Sequence, residues 1–166
     1  MLRRLRLLLP LLLAAALPPV RAADASAAFE QQLSALTKSD QVTVVHLWAP
    51  WCSNCKSELS NHGWSDFIAA HPKVNFVFVT VWNPTDGHEV LAKNGVGAEP
   101  NFQLLLHPNG QRHGDPMHEL LGLPVSWIPT TWVYKGGELR YALNYGELRF
   151  PMLAQLITDS SDSWDH

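Results

Sequence analysis

Cys52 and Cys55 are the only cysteines in the chain, and their surroundings constrain the fold more than any other feature. Gln41 to Trp48 is mostly apolar and β-branched, which predicts a strand with both faces buried. From Cys52 the pattern changes to helical spacing, with Leu59, Phe67 and Ile68 as inward candidates. This helix is expected to run to about Ala70, to bend or break at Gly63, and to stop before Pro72. A Cys-x-x-Cys pair at a strand-to-helix junction is the arrangement of a redox dithiol. The helix start favours the thiolate of Cys52, the species that attacks disulfides. Cys55, about one turn further on, is placed to resolve the mixed disulfide.

Two other readings of the pair compete. A purely structural bridge would close a loop of only a few residues, which limits the entropy it removes from the unfolded chain. Two thiolates with a histidine such as His46 suit Cu(I), so a copper-handling or metal-binding protein is the rival of a different class. His107, His113 and His118 cluster in sequence but share no metal-ligand spacing with the cysteines, and are expected on solvated loops.

The N-terminus reads as a targeting segment. Arg3, Arg4 and Arg6 precede an apolar stretch from Leu7 to Leu17, and Val20-Arg21-Ala22 offers a cleavage site. Residues 1–22 are therefore expected to be a secretory signal peptide or an uncleaved anchor, since the stretch falls short of the roughly 20 residues of a membrane span. Without them, 8 Lys+Arg face 15 Asp+Glu, a formal charge of −7. With no basic run, nucleic acid is excluded as a partner. Export also places the cysteines where disulfides persist.

Residues 24–158 read as one domain. A short amphipathic helix over 24–40 carries Phe29, Leu33 and Leu36, and Val74 to Trp82 is a second buried strand. Thr85 or Asp86 caps a short helix to about Asn94, and Asn101 to His107 is a third strand. Residues 112–122 are expected to form a short helix ending at Gly122. Thr130–Tyr134 and Glu138–Asn144 form a hairpin about Lys135-Gly136-Gly137. Phe150 to Thr158 is the last helix, and 159–166 is an acidic, serine-rich tail expected to be disordered. Alternating strands and helices followed by a hairpin predict an α/β fold: a mixed central sheet flanked by helices on both faces.

Val45-His46-Leu47-Trp48-Ala49-Pro50-Trp51-Cys52-Ser53-Asn54-Cys55-Lys56 resembles the active-site stretch of the thioredoxin superfamily. Residues 127–134, Trp-Ile-Pro-Thr-Thr-Trp-Val-Tyr, resemble its cis-proline segment, and Tyr145-Gly146 its glycine after the final hairpin. The resemblance covers about residues 41–158. Cys52, Cys55 and Glu58, with the extra length between Val81 and Pro129, are most similar to the exported TlpA/ResA-type thiol–disulfide oxidoreductases. The chain departs from that pattern at Ser60, where a proline is usual, and at Val81-Trp82-Asn83, where many relatives carry an acid.

The resemblance implies a thioredoxin-like fold, with Pro129 in a cis peptide facing the cysteines. Trp51 and Ile128 would then contact substrate, and the redox-active disulfide would need no cofactor and no metal. It implies protein thiols or disulfides as substrates, a membrane-bound thiol reductant as electron donor, and a periplasmic or inner-membrane-anchored location. Ser53-Asn54 lacks the proline and histidine of strongly oxidising relatives, and Ile128 is the residue of reducing thioredoxins; both favour a protein-disulfide reductase. His46 stands where many relatives carry a buried Asp or Asn, and two readings stay open: it takes the Cys55 proton, or it is a satisfied, partly buried histidine with no catalytic part. Glu58 falls toward the outer face of a regular helix and is expected to be solvated.

Overall fold

A five-stranded sheet in the spatial order Phe102–Leu106, Asn75–Thr80, Thr43–Trp48, Thr130–Lys135, Glu138–Leu143 brings the cysteine segment and the Ile128–Pro129 segment together, although they lie far apart in sequence. The computed structural model describes residues 22–113, 116–144 and 146–162. Its elements are α1 (Ala22–Thr37), β1 (Thr43–Trp48), α2 (Ser53–Leu59), α3 (Gly63–Ala70), β2 (Asn75–Thr80) and α4 (His88–Lys93). They continue with β3 (Phe102–Leu106), β4 (Glu119–Leu120), β5 (Leu123–Pro124), β6 (Thr130–Lys135), β7 (Glu138–Leu143) and α5 (Phe150–Ser161). Strand β1 pairs in parallel with β2 and antiparallel with β6, so the sheet is mixed. Among the described residues no helix is long and apolar enough to cross a membrane.

Side chains alternate across each strand, which sorts β1 into two sets. Val45 and Leu47 join Phe29 and Leu33 of α1, with Val77, Val79 and Trp132, in one core. Val44 and Trp48 join Cys55, Leu59, Trp64, Phe76 and Phe78 on the opposite face, beneath α2, α3 and α5. All six residues of β1 are buried, as a central strand covered on both faces requires.

Several local expectations change. The helix after Cys52 does break, but at Asn61 and His62, which take left-handed φ values of 53° and 59°. Gly63 has an ordinary helical φ of −49° and opens α3 instead. The described residues between 112 and 122 form no helix. β4 and β5 pair antiparallel about Leu121 and Gly122, whose φ values of 52° and 74° suit a tight two-residue turn. This hairpin lays Leu120 and Val125 on the α1-side core, burial that outweighs the helical spacing. Helix α5 runs three residues past Thr158 and buries Ser160, so the tail begins after Ser161 rather than at 159. His107 is buried rather than solvated: its ring meets Phe29 edge-on at 4.9 Å, and burial lowers its pKa. The targeting segment up to residue 21, Tyr145 and residues 163–166 lie outside the described residues.

Candidate active site

Pro50 and Trp51 turn the chain from the end of β1 into α2, and Cys52 is the N-cap of that helix. Cys52 and Cys55 are joined in a disulfide with a Cα–Cα distance of 5.3 Å, within the ordinary range for a bridge. The Cys55 amide donates to Cys52 Sγ at 3.2 Å, so one of the unpaired amides of the first helical turn already points at the sulfur. Cys52 is 6% exposed and Cys55 1%. The first sulfur is the more accessible of the two, but it is more covered than a freely exposed thiol.

The Ile128–Pro129 bond is cis, and the Ile128 carbonyl oxygen lies 3.6 Å from Cys52 Sγ. Trp51 donates its indole N–H to the Trp82 carbonyl at 3.1 Å, and the Arg112 guanidinium stacks 3.8 Å above its ring. Trp51, Trp82, Arg112, Trp127 and Ile128 line one groove beside the disulfide, and Trp127 is 66% exposed. The sequence-derived residues Cys52, Cys55, Trp51, Ile128 and Pro129 thus converge on one end of the sheet.

His46 lies under this surface, fully buried on the α2 side of β1. The strand register sets it opposite Thr131 on β6 and Phe78 on β2. Its Nδ1 is 2.9 Å from Thr131 Oγ1, and its Nε2 is 3.3 Å from Glu58 Oε2. Both ring nitrogens are therefore engaged, and His46 has none left to complete a copper site with the cysteines.

Glu58 corrects the sequence expectation most sharply, because it is buried, not solvated. It stands three residues after Cys55, on the same inward face of α2. Its Oε1 accepts the Leu148 amide at 2.6 Å and its Oε2 accepts the Trp64 indole N–H at 3.2 Å. Burial pushes the carboxyl up from 4.5 to about 7. The Leu148 and Trp64 hydrogen bonds pull it down in part, and the nearby Glu147 charge pushes it up further. Burial drives His46 the other way, from 6.5 to about 3. Ionising both would desolvate two charges at once. Between about pH 3 and pH 7 both groups are neutral, with Glu58 Oε2 and His46 Nε2 3.3 Å apart. The spacing from Cys55 to Glu58 was the available signal for this residue. Among the described residues no group of three His, Cys, Asp or Glu is placed to hold a metal ion.

A disulfide at a helix start, facing a cis-proline strand across a mixed five-stranded sheet, defines a thiol–disulfide oxidoreductase of thioredoxin-like fold. The chain belongs to the thioredoxin family, whose sequence profile matches residues 21–119. The sporulation thiol-disulfide oxidoreductase A of Bacillus subtilis is 25% identical over 113 residues, 67% of this chain and 66% of that protein. The chain thus spans about two thirds of that relative's length. A secreted Mycobacterium tuberculosis disulfide oxidoreductase homologous to E. coli DsbE superposes with a TM-score of 0.53 at 21% identity, covering 75% of this chain and 85% of that one. A DsbF homologue from Corynebacterium diphtheriae gives 0.56 at 20% identity, covering 75% and 74%. At these identities the two structures speak for the fold.

Proposed function

We propose that this protein is an exported protein-disulfide reductase that cycles Cys52–Cys55 between dithiol and disulfide. The observation that carries the reading is the redox pair set at the N-cap of α2 with the buried Glu58 carboxyl one turn below it. The Cys52 thiolate attacks one sulfur of a substrate disulfide, forming a mixed disulfide and releasing one substrate thiolate. Cys55 then loses its proton to ionised Glu58 and attacks Cys52 Sγ. The second substrate thiolate leaves, and two electrons have passed from the protein to the substrate. Glu58, poised at about 7, suits this proton better than His46 at about 3, because a base works best with a pKa near the operating pH. His46 is then a positioning residue that holds the carboxyl.

The groove of Trp51, Trp127 and Ile128 suits an extended segment of a protein substrate, and the backbone before Pro129 is placed to align it beside Cys52. Export rests on the targeting pattern of residues 1–22 and on the secreted relative. A reductase outside the cytoplasm needs electrons, which a membrane-bound thiol reductant would supply. The engagement of both His46 ring nitrogens favours this reading over the copper-handling one.

Equilibration of the full chain against thiol buffers tests the direction. A potential of about −250 mV or lower is expected, whereas one near about −120 mV would make the protein an oxidant. A pair that fails to exchange with thiols at all would overturn the oxidoreductase reading.

A further inference from the structure

Beside the buried pair, β6, β7 and the segment before α5 border a cleft of about 400 Å³ that reaches Pro129 at the cysteine end of the sheet. Pro129, Thr131, Asn144, Glu147, Leu148 and Met152 are among the residues that line it. Thr131 belongs both to this cleft and to the buried network, because its Oγ1 meets His46 Nδ1 at 2.9 Å. We propose that Thr131 and His46 form a relay that moves the proton of Glu58 between the buried site and solvent in this cleft. The inference rests on the role of Glu58 proposed above.

The redox cycle creates the need. Once Cys55 has given its proton to Glu58 and bonded to Cys52, neither sulfur holds or accepts a proton. Glu58, His46 and Thr131 are 2%, 1% and 2% exposed, and of the three only Thr131 lines the cleft, so a proton on the carboxyl reaches that opening through Thr131. The carboxyl must discharge before it acts as a base again. The hydrogen-bond chain supplies a path in which every bond is replaced. Glu58 gives its proton to His46 Nε2, the proton on His46 Nδ1 passes to Thr131 Oγ1, and the original Thr131 hydroxyl proton passes to water in the cleft. One proton leaves Glu58, one enters solvent, and His46 ends as the other neutral tautomer without becoming a stable cation. The groups packed on the pair from other elements are Trp64 of α3, Phe78 of β2 and Thr131 of β6, none of which titrates in this range. Glu147 supplies the nearby charge, and it lines the same cleft.

The tautomer of His46 tests the relay without reference to activity. In the oxidised full chain, nitrogen-15 NMR should find the proton on Nδ1 at acidic pH and on Nε2 at alkaline pH. The switch should track the Glu58 carboxyl followed by carbon-13 NMR. Thr131→Val should slow the second and later turnovers of substrate reduction at alkaline pH by about tenfold or more, where Glu58 must discharge between turnovers, and Thr131→Ser should restore them. If Thr131→Val does not fold, the serine variant and the wild-type tautomer still decide the matter. A fixed His46 tautomer beside a titrating Glu58 overturns the relay and leaves the Glu58 role standing. A Glu58 that does not titrate, together with wild-type resolution by Glu58→Gln, overturns both.

Discussion

Glu58 holds a carboxyl that changes charge near neutrality in a place where water cannot set its pKa. In the proposed cycle the resolving step needs it ionised, so that step should accelerate as pH rises through about 7 and then level off. Glu58→Gln keeps the shape and an acceptor for the Leu148 amide but cannot take a proton. Stopped-flow resolution of a preformed mixed disulfide should then be about 100-fold slower above the midpoint. What pH dependence remains should move up toward the ordinary thiol range near about 8.5. An unchanged midpoint in the variant would assign it to another group. His46 and the cysteines were legible in the sequence as residue types at meaningful positions. The burial of Glu58 was less so, because glutamate is seldom buried without partners, and its partners Trp64 and Leu148 come from other elements.

The break between α2 and α3 shows why element boundaries were harder to read than element identities. A glycine in a helical run suggests a bend, yet the left-handed residues are Asn61 and His62, and Gly63 serves close packing. A Cβ on Gly63 would lie 2.6 Å from the Glu58 carbonyl oxygen and 2.7 Å from the Phe150 ring. Two effects oppose each other in Gly63→Ala. Its φ of −49° suits alanine, which alone would favour the helix by about 0.5–1 kcal/mol. The overlap with backbone leaves little room to yield, and overpacking of this kind costs about 1–3 kcal/mol. Net destabilisation is expected in urea unfolding, with a shift in the pH midpoint of resolution as Trp64 moves on Glu58. A more stable variant would refute the packing argument. The β4–β5 hairpin makes the same point, since the burial of Leu120 and Val125 depends on α1 and the sheet, not on their own segment.

At the scale of the whole molecule, the sheet was legible because each central strand is an apolar run. The meeting of His46 with Thr131 was not, because it depends on the register between β1 and β6. The buried pair that this register creates should mark the stability of the entire domain. Unfolded, His46 takes a proton near 6.5, but folded it stays neutral down to about 3, so its contribution is lost as pH falls through that window. Glu58 acts oppositely. Folded it keeps its proton to about 7, while the unfolded carboxyl releases it near 4.5, so its contribution is lost as pH rises between those values. Between 4.5 and 6.5 the two slopes nearly cancel. Other carboxylates add their own acid loss, so the quantity to measure is the difference between wild type and variant by urea unfolding at each pH. The advantage of wild type over Glu58→Gln should be greatest below 4.5 and should shrink toward pH 7, by at most about 1.4 kcal/mol per pH unit. For His46→Asn the difference should run the other way, with wild type losing ground as pH falls below 6.5. Parallel stability curves for wild type and both variants would mean that neither group changes its proton affinity on folding, and the account of the buried pair would fail with them.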